Sequence, residues 1–151
     1  MDKIILKFIT VFLIICSILL ADNGLITVKS SHSVKATADS LENIFMRKDL
    51  TVFNRINHAE NAKIVDKKLR PTILIIFGNP NIGTPLMQNS QSIAIDLPQK
   101  AIIWEDEDGQ VWLTYNDPKY LAKRHNIPVE NEFIQKVEKV LSDFTGMAAG
   151  N

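Results

Sequence analysis

The chain has 151 residues, with 17 lysines and arginines balanced by 17 aspartates and glutamates, three histidines and one cysteine. This neutral balance provides no basic field of the kind that draws nucleic acid. Cys16 lies in the apolar N-terminal stretch, which excludes an internal disulfide, a cysteine metal site and a thiol nucleophile from the remainder.

Residues 1–21 read as a targeting segment. Lys3 and Lys7 precede the uncharged run 8–20, and Ala21 stands before Asp22. The run suits the hydrophobic part of a signal peptide and is short for a membrane span. Cleavage would leave a periplasmic or secreted product. Leu19 is bulky for its place before a cleavage site, so the alternative is an uncleaved helix anchoring the chain to the membrane. Residues 22–151 then form a single domain, large enough to bury a core without disulfides or metal.

Residues 24–29, with Leu25, Ile26 and Val28, predict a first strand. Ser33 offers a helix cap, and Val34, Ala38, Leu41, Ile44 and Phe45 recur at helical spacing to about Lys48. A β-rich stretch, 50–56, stops at Asn57-His58, and 59–69 suits a charged helix with Ala62, Val65 and Leu69 inward. The apolar run 72–77, bounded by Pro71 and Gly78, predicts a central strand. Thr84 before Pro85 reads as a helix start, because a hydroxyl caps free amides and proline suits the first helical position. A brief strand is expected over 93–95.

Residues 100–105 and 110–115 flank an acidic turn containing Gly109 and predict a hairpin. Asp117-Pro118 repeats the cap-and-proline signature and opens a helix to about His125. A final helix over about 129–146 carries Phe133, Val137, Val140, Leu141 and Phe144 on one stripe. Strands gathered next to helices predict an α+β fold: one mixed or antiparallel sheet with helices mainly on one face.

Chemistry concentrates where strands end. His58 follows the second strand and suits either a helix cap or a proton-transfer role. Asn79 ends the apolar run, and amides at a helix start near Thr84 suit an anion such as a carboxylate. Asp96 sits among Ile93, Ala94, Ile95 and Leu97, so its carboxylate needs a partner, expected to be Arg70, Lys100 or a backbone amide, or else serves as an acid/base group. A zinc site would have to draw His58, Asp96 and His125 together from distant elements; no metal or cofactor is assigned. The run 105–108 lacks calcium-loop spacing and reads as a wet turn. Trp104 and Trp112 on the hairpin arms suit core or dimer contacts.

Seven ordered blocks carry a resemblance: Thr51-Val-Phe-Asn-Arg-Ile-Asn-His58, Leu69-Arg-Pro-Thr72, Phe77-Gly-Asn-Pro80, Gly83-Thr-Pro-Leu-Met87, Asp96-Leu-Pro-Gln-Lys100, Trp104-Glu-Asp-Glu-Asp-Gly109 and Tyr115-Asn-Asp-Pro118. In these blocks the chain resembles the family catalogued as domain of unknown function 302, with the TT1751-like fold, over about residues 33–125. The resemblance implies an α+β fold and leaves room for a homodimer; it brings no established activity. The leader and the final helix are expected outside it.

The favoured function is a non-enzymatic module that binds a small or anionic ligand through His58, Asn79, Thr84 and Asp96. The alternatives are an enzyme using His58 or Asp96 as general acid/base, and a structural dimer without ligand. No partner nucleic acid is expected, and a membrane only through an uncleaved leader.

Overall fold

The computed structural model describes residues 23–151, so the readings of the leader lie outside the described residues. Strand β1 (Leu25–Ser30) leads into helix α1 (Val34–Arg47), and β2 (Thr51–Asn57) into α2 (His58–Ile64). After β3 (Thr72–Gly78) come α3 (Pro80–Asn89) and a 3-10 helix (Gln91–Ile95). The hairpin β4 (Gln99–Glu105) and β5 (Val111–Asn116) precedes α4 (Pro118–Arg124) and α5 (Glu132–Ala149). The five strands form one sheet in the order β1-β5-β4-β3-β2, with every neighbouring pair antiparallel. This is the expected α+β architecture.

Alternation along the strands decides which face is buried. Ile73, Ile75 and Phe77 of β3, Ala101 and Ile103 of β4, and Leu113 and Tyr115 of β5 all point to one side. There they meet Leu41 and Phe45 of α1 and Leu141 and Phe144 of α5. The Phe45 and Phe77 rings stack with centroids 4.0 Å apart. Burying a side chain of that size contributes about 3 kcal/mol. A second, smaller cluster joins Leu86, Ile93, Ala122, Ile127 and Ile134, packing α3 and the 3-10 helix against α4 and the start of α5.

Polar contacts fix the frame. Ser33 caps α1 by accepting from the Ala36 amide. Arg55 of β2 donates from Nη1 to Asp39 and Glu42 of α1, each at 2.7 Å, which holds that helix over the sheet edge. Hydrogen bonds from Lys35 and then Arg55 keep the Asp39 carboxyl below its ordinary range. In the hairpin turn Asp106 accepts from the amides of Asp108 and Gln110 and from the Trp112 indole. The Trp112 bond leads in lowering its pKa. Helices α1, α2 and α4 are each followed by a left-handed residue: Asp49, Asp66 and Asn126. These take the place glycine usually holds just beyond a helix end.

The structure corrects several local expectations. Asn57 caps α2 and His58 is its first residue, but the helix ends at Ile64 rather than near Leu69. Val65 and Leu69 are exposed instead of inward. Residues 93–95 belong to the 3-10 helix, because Ile93 turns into the second cluster and its carbonyl accepts from Asp96 and Leu97. Helix α3 starts at Pro80 with Asn79 as its cap, so Thr84 and Pro85 lie inside it. Trp104 and Trp112 pair directly on the sheet face away from α1 and α5, and the Trp104 indole donates to Thr114 there. They are not core residues. Helix α5 runs to Ala149, three residues beyond the expected stop at Gly146.

Candidate functional site

A cavity of about 240 Å³ opens where the end of β3 meets α3, the approach to β4 and the middle of α5. Local sequence explains its walls. A β-bulge between Val52 and Asn54 leaves Phe53 without a partner in the strand register. Its ring edge stands beside Gly78, where an added Cβ would lie 3.6 Å from it. Asn79 and Pro80 then turn the chain sharply into α3, whose Gly83, Leu86 and Met87 face the cavity. Opposite them, Val137, Val140 and Leu141 come from one stripe of α5. The lining is almost wholly apolar, and no charged residue contributes to it.

Of the four residues singled out from sequence, Asn79 and Thr84 line this cavity, whereas His58 and Asp96 do not. The register explains the position of His58. It follows Asn57, which pairs with Ile73 at the beginning of β3, while Asn79 follows Gly78 at the other end. Strand β3 alone separates them by roughly 17 Å. The helix start near Asn79 also has its amides engaged. Asn79 Oδ1 accepts from the Asn81 amide at 2.9 Å, and the amides of Ile82 and Gly83 donate to the Asn79 carbonyl. Pro80 has no amide hydrogen. An anion finds no free donor in that first turn.

Asp96 has found partners other than those expected. Its Oδ2 lies 2.6 Å from His125 Nε2, and its Oδ1 lies 3.3 Å from Arg124 Nη1. Lys100 instead donates to the Asp96 carbonyl, and Arg70 donates to the Glu105 carbonyl. The other ring nitrogen of His125, Nδ1, is 2.9 Å from Ser92 Oγ. An ionised carboxylate only accepts, so Nε2 carries the hydrogen and Nδ1 accepts from Ser92 when the ring is neutral. A serine, imidazole and carboxylate in series can serve nucleophilic catalysis. Here Ser92 is exposed and lies off the cavity wall. The series fastens the 3-10 helix to the end of α4 beside the second cluster. His58 does not join it, and among the described residues no group of three His, Cys, Asp or Glu side chains is gathered for a metal.

The cavity contains one polar residue that motif reading passed over. Gln99 occupies the inward phase of β4, in line with Ala101 and Ile103, and is 8 % exposed. Its Oε1 is buried without a hydrogen-bond partner. The sequence hid it, since the expected strand begins at residue 100 and 101–104 is a continuous apolar run; only the observed register puts Gln99 on the phase shared with Ala101 and Ile103. The wall contributed by α5 left no trace either: Val137, Val140 and Leu141 read simply as core.

The family model for Domain of unknown function DUF302 matches residues 26–144. The chain belongs to this family. The match takes in β1 and most of α5, so the final helix, expected outside the resemblance, is part of the family domain. A DUF302 protein of Bacillus stearothermophilus, titled an uncharacterized conserved protein, shares the fold with a TM-score of 0.74. The two are 18% identical, and the superposition covers 84% of this chain and 98% of that one. Two curated relatives, of Brucella suis biovar 1 (strain 1330) and Brucella abortus biovar 1 (strain 9-941), carry the name Fluoride-specific ion channel FluC 1 and are each 46% identical over 111 residues. That stretch is 74% of this chain, but only 44% and 41% of those proteins. The chain therefore spans less than half the length of the curated relatives it matches. Among the described residues no helix is long and apolar enough to cross a membrane.

Proposed function

We propose that this DUF302 domain is a binding module, exported by residues 1–21, whose cavity between α3, α5 and the ends of β3 and β4 takes a small, predominantly apolar molecule. The observation carrying this reading is the cavity itself: about 240 Å³ of space walled by apolar side chains. The apolar wall would otherwise face water, and a ligand with an apolar body removes that surface from solvent. Small-molecule sites are concave and mostly apolar, with few polar groups, which is the composition here. An engineered apolar cavity of about 150 Å³ holds benzene, so the space here suits a molecule of roughly ten non-hydrogen atoms by simple scaling. No cation lines the wall, so an anionic ligand is the less supported half of the expectation.

The test is a titration of the full-length protein with alkylbenzenes from toluene to butylbenzene, followed by methyl chemical shifts of Leu86, Val137 and Leu141. Shifts at these methyls, with affinity rising along the series until the cavity is filled, support the reading. Gly83→Leu supplies the control. A Cβ at Gly83 would touch only Leu97 Cδ1, at 3.9 Å, and the backbone there needs no glycine. The added four carbons take up part of the cavity, so binding of butylbenzene should be lost before that of toluene. Unchanged lining methyls at saturating butylbenzene would overturn the proposal.

A further inference from the structure

Resting on the cavity reading, we infer that the natural occupant is a neutral molecule carrying a hydroxyl group, held by the side-chain amide of Gln99. Three observations lead there. Gln99 lines the cavity, its residue is more than nine-tenths buried, and its Oε1 has no partner. A buried amide oxygen without a donor is costly to keep, and such groups in folded proteins call for a partner supplied from outside. The surrounding wall offers none of the charges that would complement an ionised headgroup, so a carboxylate or an ammonium would be desolvated without compensation.

The hydroxyl follows from the chemistry of the amide. A primary amide presents an acceptor on one edge and donors on the other, and rotation about its last bond exchanges them. A hydroxyl is both donor and acceptor, so it pairs with whichever edge faces the cavity. An ether or ketone pairs with only the donor edge and leaves Oε1 unmet. Sites built to hydrogen-bond a hydroxyl discriminate strongly against the analogue lacking it, because the polar group of the site is then left unpaired. Gln99 thus acts as the specificity element, while the apolar wall contributes affinity for the body of the molecule.

Three probes built on one phenylpropane body separate the outcomes: propylbenzene, 4-propylphenol and 4-phenylbutyrate, each titrated into the full-length wild type and Gln99→Met by methyl chemical shifts. The wild type is expected to hold 4-propylphenol about 10-fold more tightly than propylbenzene, and 4-phenylbutyrate more weakly than either. Gln99→Met, similar in length but without the amide, should bring the phenol and hydrocarbon to within about 2-fold of each other while still binding both. If both probes bind the wild type equally, or the preference survives in Gln99→Met, the assignment of Gln99 is overturned and the apolar cavity stands. Tighter binding of 4-phenylbutyrate than of the phenol overturns the neutral ligand. If none of the three binds, the cavity reading itself falls. Gln99→Glu adds a check: a charge in the same place should drive out propylbenzene and the phenol together.

Discussion

Asp96 and Gln99 stand three residues apart on the same approach to β4, each polar in an otherwise apolar setting, and the fold treats them in opposite ways. Asp96 is surrounded by donors, from the His125 ring to the Arg124 guanidinium. Gln99 is enclosed by hydrocarbon, with its amide oxygen unmet. A polar group with its partners supplied by the chain is a fastening, and its removal weakens the fold. A polar group left without one in a cavity costs stability as it stands, and its removal should strengthen the fold while altering what the cavity accepts. The contrast separates structural polarity from polarity held for a ligand.

Substitutions at the two positions should therefore shift stability with opposite sign. The largest effect is expected from Asp96→Ala, which strands a buried imidazole and releases the 3-10 helix from α4. A loss of about 3 kcal/mol, seen as a fall in melting temperature of roughly 10 °C, should accompany unchanged propylphenol affinity at a temperature where the fold is intact. Reduced affinity without lost stability would move Asp96 from fastening to site. Gln99→Met should gain about 1 kcal/mol in a urea denaturation, because it removes an unmet buried acceptor; a loss would mean that the amide has a structural partner. Gly83→Leu should gain a similar amount, from helix propensity and from packing in the cavity. Asn126→Gly, at the left-handed residue after α4, should add a few tenths of a kcal/mol beside the Asp96 fastening, measurable in the same denaturation series.

The pH dependence offers a further contrast, this time with a surface pair. The Asp39 carboxyl is held below its ordinary value of 3.8. A depressed folded pKa means the stabilisation is complete above the unfolded value and disappears as pH falls through the folded one. Acid titration of the melting temperature below about pH 4 should therefore flatten in Asp39→Asn relative to wild type. An unchanged acid slope would show that the Lys35 and Arg55 contacts do not persist in solution.

Elements with strong local signals were legible in the sequence. The caps at Ser33 and Asp117, the apolar run of β3, the β-rich arms of the hairpin, its acidic turn with Gly109 and the stripe of α5 all depend on neighbours within a few residues. Where two local signals compete, the reading slipped. Thr84-Pro85 carries a helix-start signature, but Asn79-Pro80 carries another five residues earlier, and the earlier one begins the helix. Ile93 to Ile95 reads as a strand by composition, but the second cluster draws Ile93 inward and winds the segment into a turn.

The candidate site divided along the same line. Asn79 was recognisable at a strand end and Thr84 as a helix-start residue, and both line the cavity. Gln99 was not legible, because the strand is expected only from residue 100 and the apolar run 101–104 shows no phase until its register with β3 and β5 is known. Nor were the partners of Asp96, because His125 and Arg124 reach it only when α4 folds back over the 3-10 helix.

The sequence by itself determined the α+β class and the family, because propensity, capping and periodicity act over short distances. Only the tertiary structure decided that His58 stands apart from Asn79, that Asp96 is matched by His125, and that Gln99 is left unmet beside an open apolar space. Those outcomes depend on how α3, α4 and α5 pack against the ends of β3 and β4. The shape of the space between packed elements is a property of the elements together, which no one of them encodes.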